Sequence, residues 1–512
     1  MVPLTLCFEE TGKRPISLRW IDTNKGDSLR PNYRSRMVVR EIKARKSPSE
    51  QIPIEQLFSS MPPLEALMCL LSLLASLGFF GYKAGIFDIS RAHFYGTAVR
   101  RVFIDLPEED KVEQGYDKCG LLLKSMYGTQ DASHIWQEDY TVLLIEDGFK
   151  RGRSNGAVFW KEAGDIRVLV HGDDFFVLGK QADVDQFEKM LRTKYELKKN
   201  ANLGFEAGDS KAAVFLNRII TIDDSAGIVR IEADSRHAEM IVEELGLQQC
   251  TGVETPAEKR SVDQQLRDAE TPALGAQQTQ RFRSLTMRAA YLAQDRGDIG
   301  EATKNLARCM KAPNTAAWEK LIRLGKYLVK YPQVAKVFRR QTVPKKLKVF
   351  VDTDHAGCAV TRKSTTGLTA MFGNHCVKHA SNLQSTIALS SGESEYYGLV
   401  KGSAVGLGLQ SLLQDWRLDV EIEVLSDSSA ARGHVKRRGL GKMRHIQTRY
   451  LWIQERVGEG HLKILCVKGT ENPADVLTKQ VSGVALRQHL TKLGFEFVKK
   501  HSLQKATTGA KT

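Results

Sequence analysis

Two adjacent aspartates between two short apolar segments are the feature that most restricts how this 512-residue chain can fold. Residues 166–180 have the sequence "IRVLVHGDDFFVLGK", in which Asp173 and Asp174 stand at a polar turn. The pattern predicts a hairpin of two buried strands whose tip carries two like charges. Such a tip is either a solvated surface turn or, with a further carboxylate nearby, a site for divalent metal ions.

A third carboxylate lies upstream, at the end of another apolar segment. In "AGIFDIS", Asp88 follows a strand-like run, so we expect its side chain to face a cleft beside the hairpin. Two Mg²⁺ or Mn²⁺ ions about 4 Å apart can stabilise the attacking and leaving oxygens of a phosphoryl transfer. Because these ions prefer carboxylate oxygens, Asp88, Asp173 and Asp174 are candidate metal ligands.

A second set of carboxylates follows in the last third of the chain. Asp352 in "FVDTDHAG" and Asp427 in "VLSDSSAAR" end strand-like segments. Asp475 in "TENPADVLTK" is predicted to lie in the first turn of a helix, with Asn472 as its N-cap and Pro473 as its first residue. These positions predict a second two-metal site, of the nuclease kind.

The helix predicted to begin in "LSSGESEYYGL" offers two glutamates to this second set. Ser390 followed three residues later by Glu393 fits a capping box, which gives Glu393 a structural role. Glu395 points to a different face of the helix, so we assign Glu395 to the metal ions.

Composition predicts a polyanionic partner inside the cell. Lys and Arg number 75 against 60 Asp and Glu, and the net charge of +15 favours nucleic-acid binding. The eight cysteines are scattered without zinc-site spacing, which is typical of reduced thiols in an intracellular protein.

The N-terminus lacks the apolar run of a signal peptide. Residues 66–80 are apolar but shorter than the roughly 20 residues of a membrane span, so they predict a buried helix and no membrane contact.

Hydrophobic patterning divides the chain into α+β, helical and α/β parts. Residues 1–60 contain two strand-like pieces, "ISLRWIDT" and "YRSRMVVREI", around a Gly-Asp turn, which predicts a hairpin. Residues 235–345 are mostly helical, with a polar connector at 254–280 that we expect to be rich in loops. Strands alternate with helices from Leu347 onward, and the basic end of the chain is expected to fray.

Eight motifs, in this order, resemble the reverse transcriptase and RNase H region of copia-type LTR retrotransposons. They are "YRSRMVVRE", "FDISRAHFYG", "KSMYGTQDASHIWQEDY", "LVHGDDFFVLG", "VDTDHAGCAVTRKSTTGL", "STIALSSGESEYYGL", "KMRHIQTRYLWIQERV" and "NPADVLTK". The resemblance extends from about Ile16 to Val481. Each motif is weak alone, but their order over this length is specific.

The resemblance implies an α+β right-hand polymerase followed by an α/β RNase H-like domain with a mixed sheet. The fingers would occupy residues 1–85, the palm 86–235 and the thumb or connection 236–345. The RNase H-like domain would occupy 346–482, and a basic flexible tail 483–512. The implied activity is RNA-directed DNA synthesis coupled to cleavage of RNA in RNA–DNA hybrids, both by two-metal phosphoryl transfer.

The family's functional residues carry over onto matching positions. The catalytic metal ligands are Asp88, Asp173, Asp174, Asp352, Glu395, Asp427 and Asp475, with two Mg²⁺ or Mn²⁺ ions in each site. The implied substrate-binding residues are Arg36, which would reach the incoming triphosphate, His93, Phe94, Gly128 and Gln130.

The resemblance also implies partners and a setting. The partners are an RNA template, DNA, RNA–DNA hybrid, dNTPs and possible Pol products such as an integrase encoded outside this chain. The setting is intracellular, in a cytoplasmic particle or the nucleus. The sequence contains no protease or integrase part, so we expect a fragment or processed product.

Several positions depart from the family pattern. His171 and Gly172 replace the Tyr-Val of the family's Tyr-Val-Asp-Asp hairpin, and Gly-Asp-Asp is commoner in RNA-dependent RNA polymerases. Asp131 stands where the family has Gln, and it would face triphosphate charge unless the preceding Gln130 takes its place. His93 stands where the family has the aromatic that excludes ribonucleotides. The order His-Phe favours a displaced aromatic, with Phe94 in that role.

Two alternative functions stay open. An RNA-dependent RNA polymerase would explain Gly-Asp-Asp, but an RNase H serves only an enzyme that makes RNA–DNA hybrids. A catalytically decayed, nucleic-acid-binding remnant would explain the departures, but all seven carboxylates persist.

Overall fold

The computed structural model describes residues 1–24, 31–41, 52–441 and 443–498. These residues divide into two compact units. The first is formed by residues 1–62, 86–177 and 182–199, and the second by residues 63–85, 178–181 and 200 onward. The predicted Gly-Asp turn and the last fourteen residues, 499–512, lie outside the described residues.

The strands up to residue 203 are β1 (Val2–Pro3), β2 (Leu18–Asn24), β3 (Tyr33–Val39), β4 (Tyr82–Ile89), β5 (Phe103–Ile104), β6 (Lys118–Leu121), β7 (Lys150–Arg151), β8 (Val158–Lys161), β9 (Ile166–His171), β10 (Asp174–Lys180) and β11 (Leu197–Leu203). The helices are α1 (Leu4–Thr11), α2 (Ile54–Leu57), α3 (Leu64–Leu77), α4 (Glu108–Gln114), α5 (Ala132–Glu146) and α6 (Gln181–Arg192).

The later strands are β12 (Ala212–Phe215), β13 (Arg218–Asp223), β14 (Ile228–Ala233), β15 (Val334–Arg339), β16 (Lys346–Asp354), β17 (Thr365–Phe372), β18 (His375–Leu383), β19 (Glu421–Ser426), β20 (Lys463–Cys466) and β21 (Phe495–Phe497). The later helices are α7 (Arg236–Glu244), α8 (Val262–Glu270), α9 (Ala276–Leu292), α10 (Gly300–Arg308), α11 (Thr315–Lys330), α12 (Ser391–Asp415), α13 (Ser429–Val435), α14 (Trp452–Gly458) and α15 (Gly483–Lys492). Short 3₁₀ helices lie at Gly78–Phe80, Ala92–Phe94, Gly297–Ile299, Thr448–Tyr450, Gly469–Glu471 and Pro473–Leu477.

The first candidate site belongs to a six-stranded sheet of order β11-β4-β10-β9-β8-β7. Asp88 lies on β4, next to the hairpin of β9 and β10. Aromatic side chains from α5 and α6, among them Trp136, Tyr140 and Phe187, form a buried cluster with sheet residues such as Phe175. The hairpin predicted in residues 1–60 is confirmed, because β2 and β3 pair antiparallel.

The second candidate site belongs to a five-stranded sheet of order β18-β17-β16-β19-β20. Strand β16 pairs antiparallel with β17 and parallel with β19, and β19 pairs parallel with β20. The predicted mixed sheet is therefore confirmed. Another five-stranded sheet in the second unit has the order β12-β13-β14-β15-β21.

The apolar segment at 66–80 forms most of α3, in which residues 66–76 are all buried. A helix that is apolar on every side is stable only when it is enclosed by protein or lipid. Among the described residues, no helix combines the length and apolar character needed to cross a membrane.

The structure differs from the sequence-based expectation in two segments. Within the polar connector, Ser261 and Gln264 form a complete capping box that starts α8. Within the predicted flexible tail, residues 483–498 contain α15 and β21, and β21 pairs with β15. Leu490 and Phe495 are buried there, and this apolar burial explains why the segment folds onto the second unit.

Helix α12 packs closely on β16 and β19 because three glycines face these strands. A Cβ at Gly398 would lie 2.8 Å from Val351 Cγ1, one at Gly402 would lie 2.5 Å from Val351 Cγ2, and one at Gly406 would lie 2.9 Å from Ile422 Cγ2. The backbone of α12 therefore sits nearer to the sheet than a helix with larger residues could.

We expect Gly402→Ala to destabilise the second unit by roughly 1–3 kcal/mol, because the added methyl group overlaps Val351. Gly408→Ala on the same helix is the matched control, since nothing lies within 4 Å of its Cβ position. That change should stabilise the helix by up to about 1 kcal/mol. Urea unfolding midpoints would test both, and a Gly402→Ala protein at least as stable as wild type would contradict this packing.

Candidate active sites

The Asp-Asp hairpin is a two-residue turn fixed by its glycine. Gly172 has a φ of +65°, and the flanking strands end at His171 and resume at Asp174. Glycine at the first central position of such a turn is typical of type II′, whose twist matches paired strands. Trp136 Nε1 donates a hydrogen bond to Gly172 O at 2.8 Å. Gly172 is therefore explained by the conformation of the turn.

The three polymerase-type carboxylates lie at neighbouring strand ends. The Ile89 N–H donates to Asp173 O at 3.0 Å, which joins the end of β4 to the hairpin tip. Burial, followed by the charges of Asp173 and Asp88, raises the pKa of Asp174 to about 7. Burial and the charge of Asp173 also raise the pKa of Asp88. The three carboxylates thus repel one another, although they do not form a group within 4.8 Å.

Cations on β3 and β11 face Asp88. Arg34, Lys198 and Arg36 each oppose the rise in its pKa. Only Arg36 was predicted from the sequence. Arg34 and Arg36 are two residues apart on one strand and so point to the same face, a signal that identifies Arg34 as well.

Tyr127 lies at the centre of the predicted sugar-binding region. Its ring centroid is 4.5 Å from that of His93 and 5.6 Å from that of Phe94, while the Arg36 guanidinium lies 5.2 Å away. Burial lowers the pKa of His93, which keeps its imidazole neutral at physiological pH. His93 Nδ1 is buried without a hydrogen-bond partner among the described residues. The sequence patterns do not single out Tyr127.

Asp131 is neutralised within the protein. Arg100 Nε donates to Asp131 Oδ2 at 2.7 Å, and the same guanidinium also binds Glu41. Burial raises the pKa of Asp131, but the hydrogen bonds and charge of Arg100 outweigh it, so the net pKa is lowered. The neighbouring Gln130 donates its N–H to Glu41 Oε2 at 2.8 Å. The acid that was expected to face triphosphate charge is thus held by Arg100.

Gly128 allows the end of β3 to lie against the backbone of residues 127 and 128. It has a φ of +92°, and a Cβ there would lie 2.1 Å from Val39 O. The Val39 N–H donates to Tyr127 O at 2.8 Å. Gly128 therefore allows two backbone segments to pack closely. Its role in substrate binding stays a prediction.

Asp352, Glu395 and Asp427 form the second candidate site. One carboxylate oxygen from each lies within 4.8 Å of the other two, and these are the only three candidate ligands brought so close in the described part of the chain. Asp352 lies near the end of β16 and Asp427 directly follows β19. Because these neighbouring strands are parallel, their carboxyl ends meet at one edge of the sheet.

Glu395 is oriented by two hydroxyl groups and a backbone amide. Its Oε1 accepts from Thr353 N at 3.0 Å and from Thr353 Oγ1 at 2.8 Å, and its Oε2 accepts from Ser426 Oγ at 3.2 Å. Burial, aided by the charges of Asp352 and Asp427 and opposed by Thr353, raises its pKa to about 7.

Glu393 points away from this cluster. It accepts hydrogen bonds from the Leu389 N–H and from Tyr397 OH, both at 2.9 Å, and its Oε2 lies 2.8 Å from His445 Nε2. Ser390 Oγ accepts from Glu393 N at 3.2 Å, so one half of the predicted capping box is present. The two glutamates thus lie in different surroundings, and the assignment of Glu395 to metal ions stays a prediction.

Asp475 lies beside the group without joining it. It belongs to the 3₁₀ helix Pro473–Leu477, where the Asn472 side chain accepts from Ala474 N. Lys479 Nζ lies 3.4 Å from Asp475 Oδ1 and 3.8 Å from Asp352 Oδ2. Lys479 was not predicted, although its position four residues after Asp475 on a helical turn is a usable signal.

Known proteins resemble this chain over most of its length. The family described as "Reverse transcriptase (RNA-dependent DNA polymerase)" matches residues 4–259. The chain belongs to the reverse transcriptase family. The retrovirus-related Pol polyprotein from transposon TNT 1-94 of Nicotiana tabacum is 26% identical over 479 residues, which are 92% of this chain and 35% of that protein. The Pol polyprotein from transposon RE2 of Arabidopsis thaliana is 24% identical over 493 residues, 94% and 32% of the two chains.

This reverse transcriptase family member spans about a third of the length of the curated relatives it matches. The predicted resemblance to copia-type Pol polyproteins is confirmed. The predicted fold class is confirmed as well, by the family match together with the mixed sheet of the second unit. Among solved structures, a foamy viral protease-reverse transcriptase in complex with RNA/DNA hybrid aligns at a TM-score of 0.47 and 12% identity, over 88% of this chain and 50% of that chain.

We expect divalent-ion binding at the second site to release protons near neutral pH. With a pKa of about 7, Glu395 is partly protonated at pH 7, whereas a metal ligand must be ionised. Affinity for Mg²⁺ should therefore rise as the pH increases through about 7. Calorimetry in buffers of different ionisation enthalpy measures the released protons.

Asp174 has a similar pKa, so the measurement is made on an Asp174→Asn protein. Glu395→Gln is the control and should reduce the release, since the raised pKa of Asp352 leaves a smaller contribution. A Mg²⁺ affinity that does not change with pH around neutrality would contradict the assignment of Glu395.

Proposed function

We propose that this chain is an RNA-directed DNA polymerase coupled to a ribonuclease H that cleaves RNA in RNA–DNA hybrids, within a retrotransposon Pol polyprotein. The observation that carries the proposal is a second carboxylate cluster in a chain whose first half belongs to the reverse transcriptase family. Both activities use two-metal phosphoryl transfer.

In the polymerase site, Asp88, Asp173 and Asp174 would hold Mg²⁺ or Mn²⁺ ions, which stabilise the charge on the attacking and leaving oxygens. Arg36, joined by Arg34, binds the triphosphate of the incoming nucleotide, since both already face these carboxylates. Tyr127 and His93 support its sugar. Gly128 and Gln130 bind substrate, and the contacts of Val39 with Tyr127 O and of Glu41 with the Gln130 N–H hold this segment in place.

In the nuclease site, Asp352, Glu395, Asp427 and Asp475 would hold the same kind of ion. Their oxygen donors suit Mg²⁺ or Mn²⁺ and do not suit softer metals. Thr353 and Ser426 keep both Glu395 oxygens aimed at the cluster.

The partners we propose are an RNA template, DNA, RNA–DNA hybrid and dNTPs, in keeping with the net charge of +15. The setting is intracellular, in a cytoplasmic particle or the nucleus, with further Pol products such as an integrase encoded outside this chain. We retain the division into fingers, palm, connection and RNase H-like domain as part of the proposal.

The motif departures favour neither alternative function. Gly172 is explained by its turn, which removes the main reason to propose an RNA-dependent RNA polymerase. Asp131 is paired with Arg100, and such a compensated substitution is not the mark of a decayed site.

The two activities should be separable by single substitutions. Asp173→Asn should abolish incorporation of labelled dNTP on poly(rA)–oligo(dT) and leave hybrid cleavage intact, because it removes a ligand from one site only. Asp427→Asn should do the reverse. If either change removes both activities while circular dichroism stays that of wild type, the assignment of two separate sites is wrong.

The choice between dNTP and rNTP should depend on His93. The charge of Asp173 acts on His93, whereas Phe94 is 40% exposed, so we place His93 beside the sugar. His93→Phe, which fills the space open to a 2′-hydroxyl, should raise discrimination against ATP relative to dATP by roughly 10–200-fold. Phe94→Ala is the matched control and should change it little. An unchanged ratio for His93→Phe with a large loss for Phe94→Ala would assign this role to Phe94.

A further inference from the structure

The ammonium group of Lys479 bridges two carboxylates of the nuclease cluster. Its Nζ lies 3.4 Å from Asp475 Oδ1 and 3.8 Å from Asp352 Oδ2. Burial lowers the pKa of Lys479, but Asp352, Asp475 and Asp427 outweigh it and raise the pKa above that of a free lysine. The chain thus supplies its own cation to a group of like charges.

The backbone that carries Lys479 is tied to β16 on both sides of Asp475. Asn472 Nδ2 donates to Val351 O at 2.8 Å, and Thr478 Oγ1 donates to Asp352 Oδ2. The Lys479 side chain itself is 48% exposed. A long side chain on a fixed backbone can therefore move its tip between the carboxylates and solvent without any change in the fold.

We propose that Lys479 is a resident counter-ion that competes with a divalent ion for Asp352 and Asp475. The inference rests on the proposed nuclease function. A Mg²⁺ ligand oxygen lies 2.0–2.1 Å from its ion, which leaves no room for an ammonium group between the same two carboxylates. An ion bound by the same two oxygens, Asp352 Oδ2 and Asp475 Oδ1, must displace Lys479, so its affinity in the absence of nucleic acid is kept low.

The test is Mn²⁺ binding measured by electron paramagnetic resonance on the full chain without nucleic acid. Asp173→Asn and Asp174→Asn are included so that the polymerase-type carboxylates do not contribute. Lys479→Gln should tighten Mn²⁺ binding at Asp352 and Asp475 on the order of 10-fold, equivalent to about 1.4 kcal/mol. Lys479→Arg retains the charge and should bind like the parent protein.

Two controls separate failure of this inference from failure of the proposed function. Lys463→Gln removes an exposed lysine of β20, in the same sheet, that pairs with Glu421 on β19, and it should leave Mn²⁺ binding unchanged. Asp427→Asn should weaken Mn²⁺ binding if the signal comes from the nuclease cluster. If it does so while Lys479→Gln binds like the parent, competition by Lys479 is overturned. If Asp427→Asn has no effect, the metal assignment itself fails, and this inference with it.

Discussion

Repulsion between partly buried carboxylates is the constraint on which much of this structure depends. Asp174 in the first unit and Glu395 in the second both have a pKa near 7, mainly because burial disfavours their charge and neighbouring aspartates disfavour it further. Left alone, such groups take up protons or move apart. The surrounding residues counter this with cations in one site, and with hydroxyl donors and Lys479 in the other.

The positions of these carboxylates depend on close backbone approach. Glu395 reaches Thr353 and Ser426 because the glycines of α12 let that helix lie directly against β16 and β19. In the first unit, Gly172 makes the tight turn that holds Asp173 at the end of β4, and Gly128 admits Val39. At Gly128 and in α12 a side chain would occupy the space of another strand, whereas Gly172 serves because its turn requires a positive φ.

Motif departures are compensated by nearby residues. Asp131 would be an unfavourable charge in isolation, yet Arg100 binds it together with Glu41, and Glu41 in turn fixes the backbone of Gln130. A charged residue at a motif position therefore does not by itself show that its charge contacts the substrate. The hydrogen bonds of its side chain decide which group its charge meets.

Sequence patterns alone predict the candidate carboxylates, the Asp-Asp hairpin and a structural role for Glu393, while the mixed sheet is implied by the family resemblance. The carboxylates, the hairpin and the role of Glu393 follow from local rules, such as strand alternation, turn glycines and helix capping, which act over a few residues. The folded chain is needed to show that Asp352, Glu395 and Asp427 come within 4.8 Å of one another and that Lys479 bridges Asp475 and Asp352. The same holds for the hydrogen bond between Arg100 and Asp131 and for the ring contacts of Tyr127 with His93 and Phe94. These contacts join residues far apart in the chain, or depend on side-chain directions that no local spacing specifies, and burial of the helices and sheets around them sets which side chains meet.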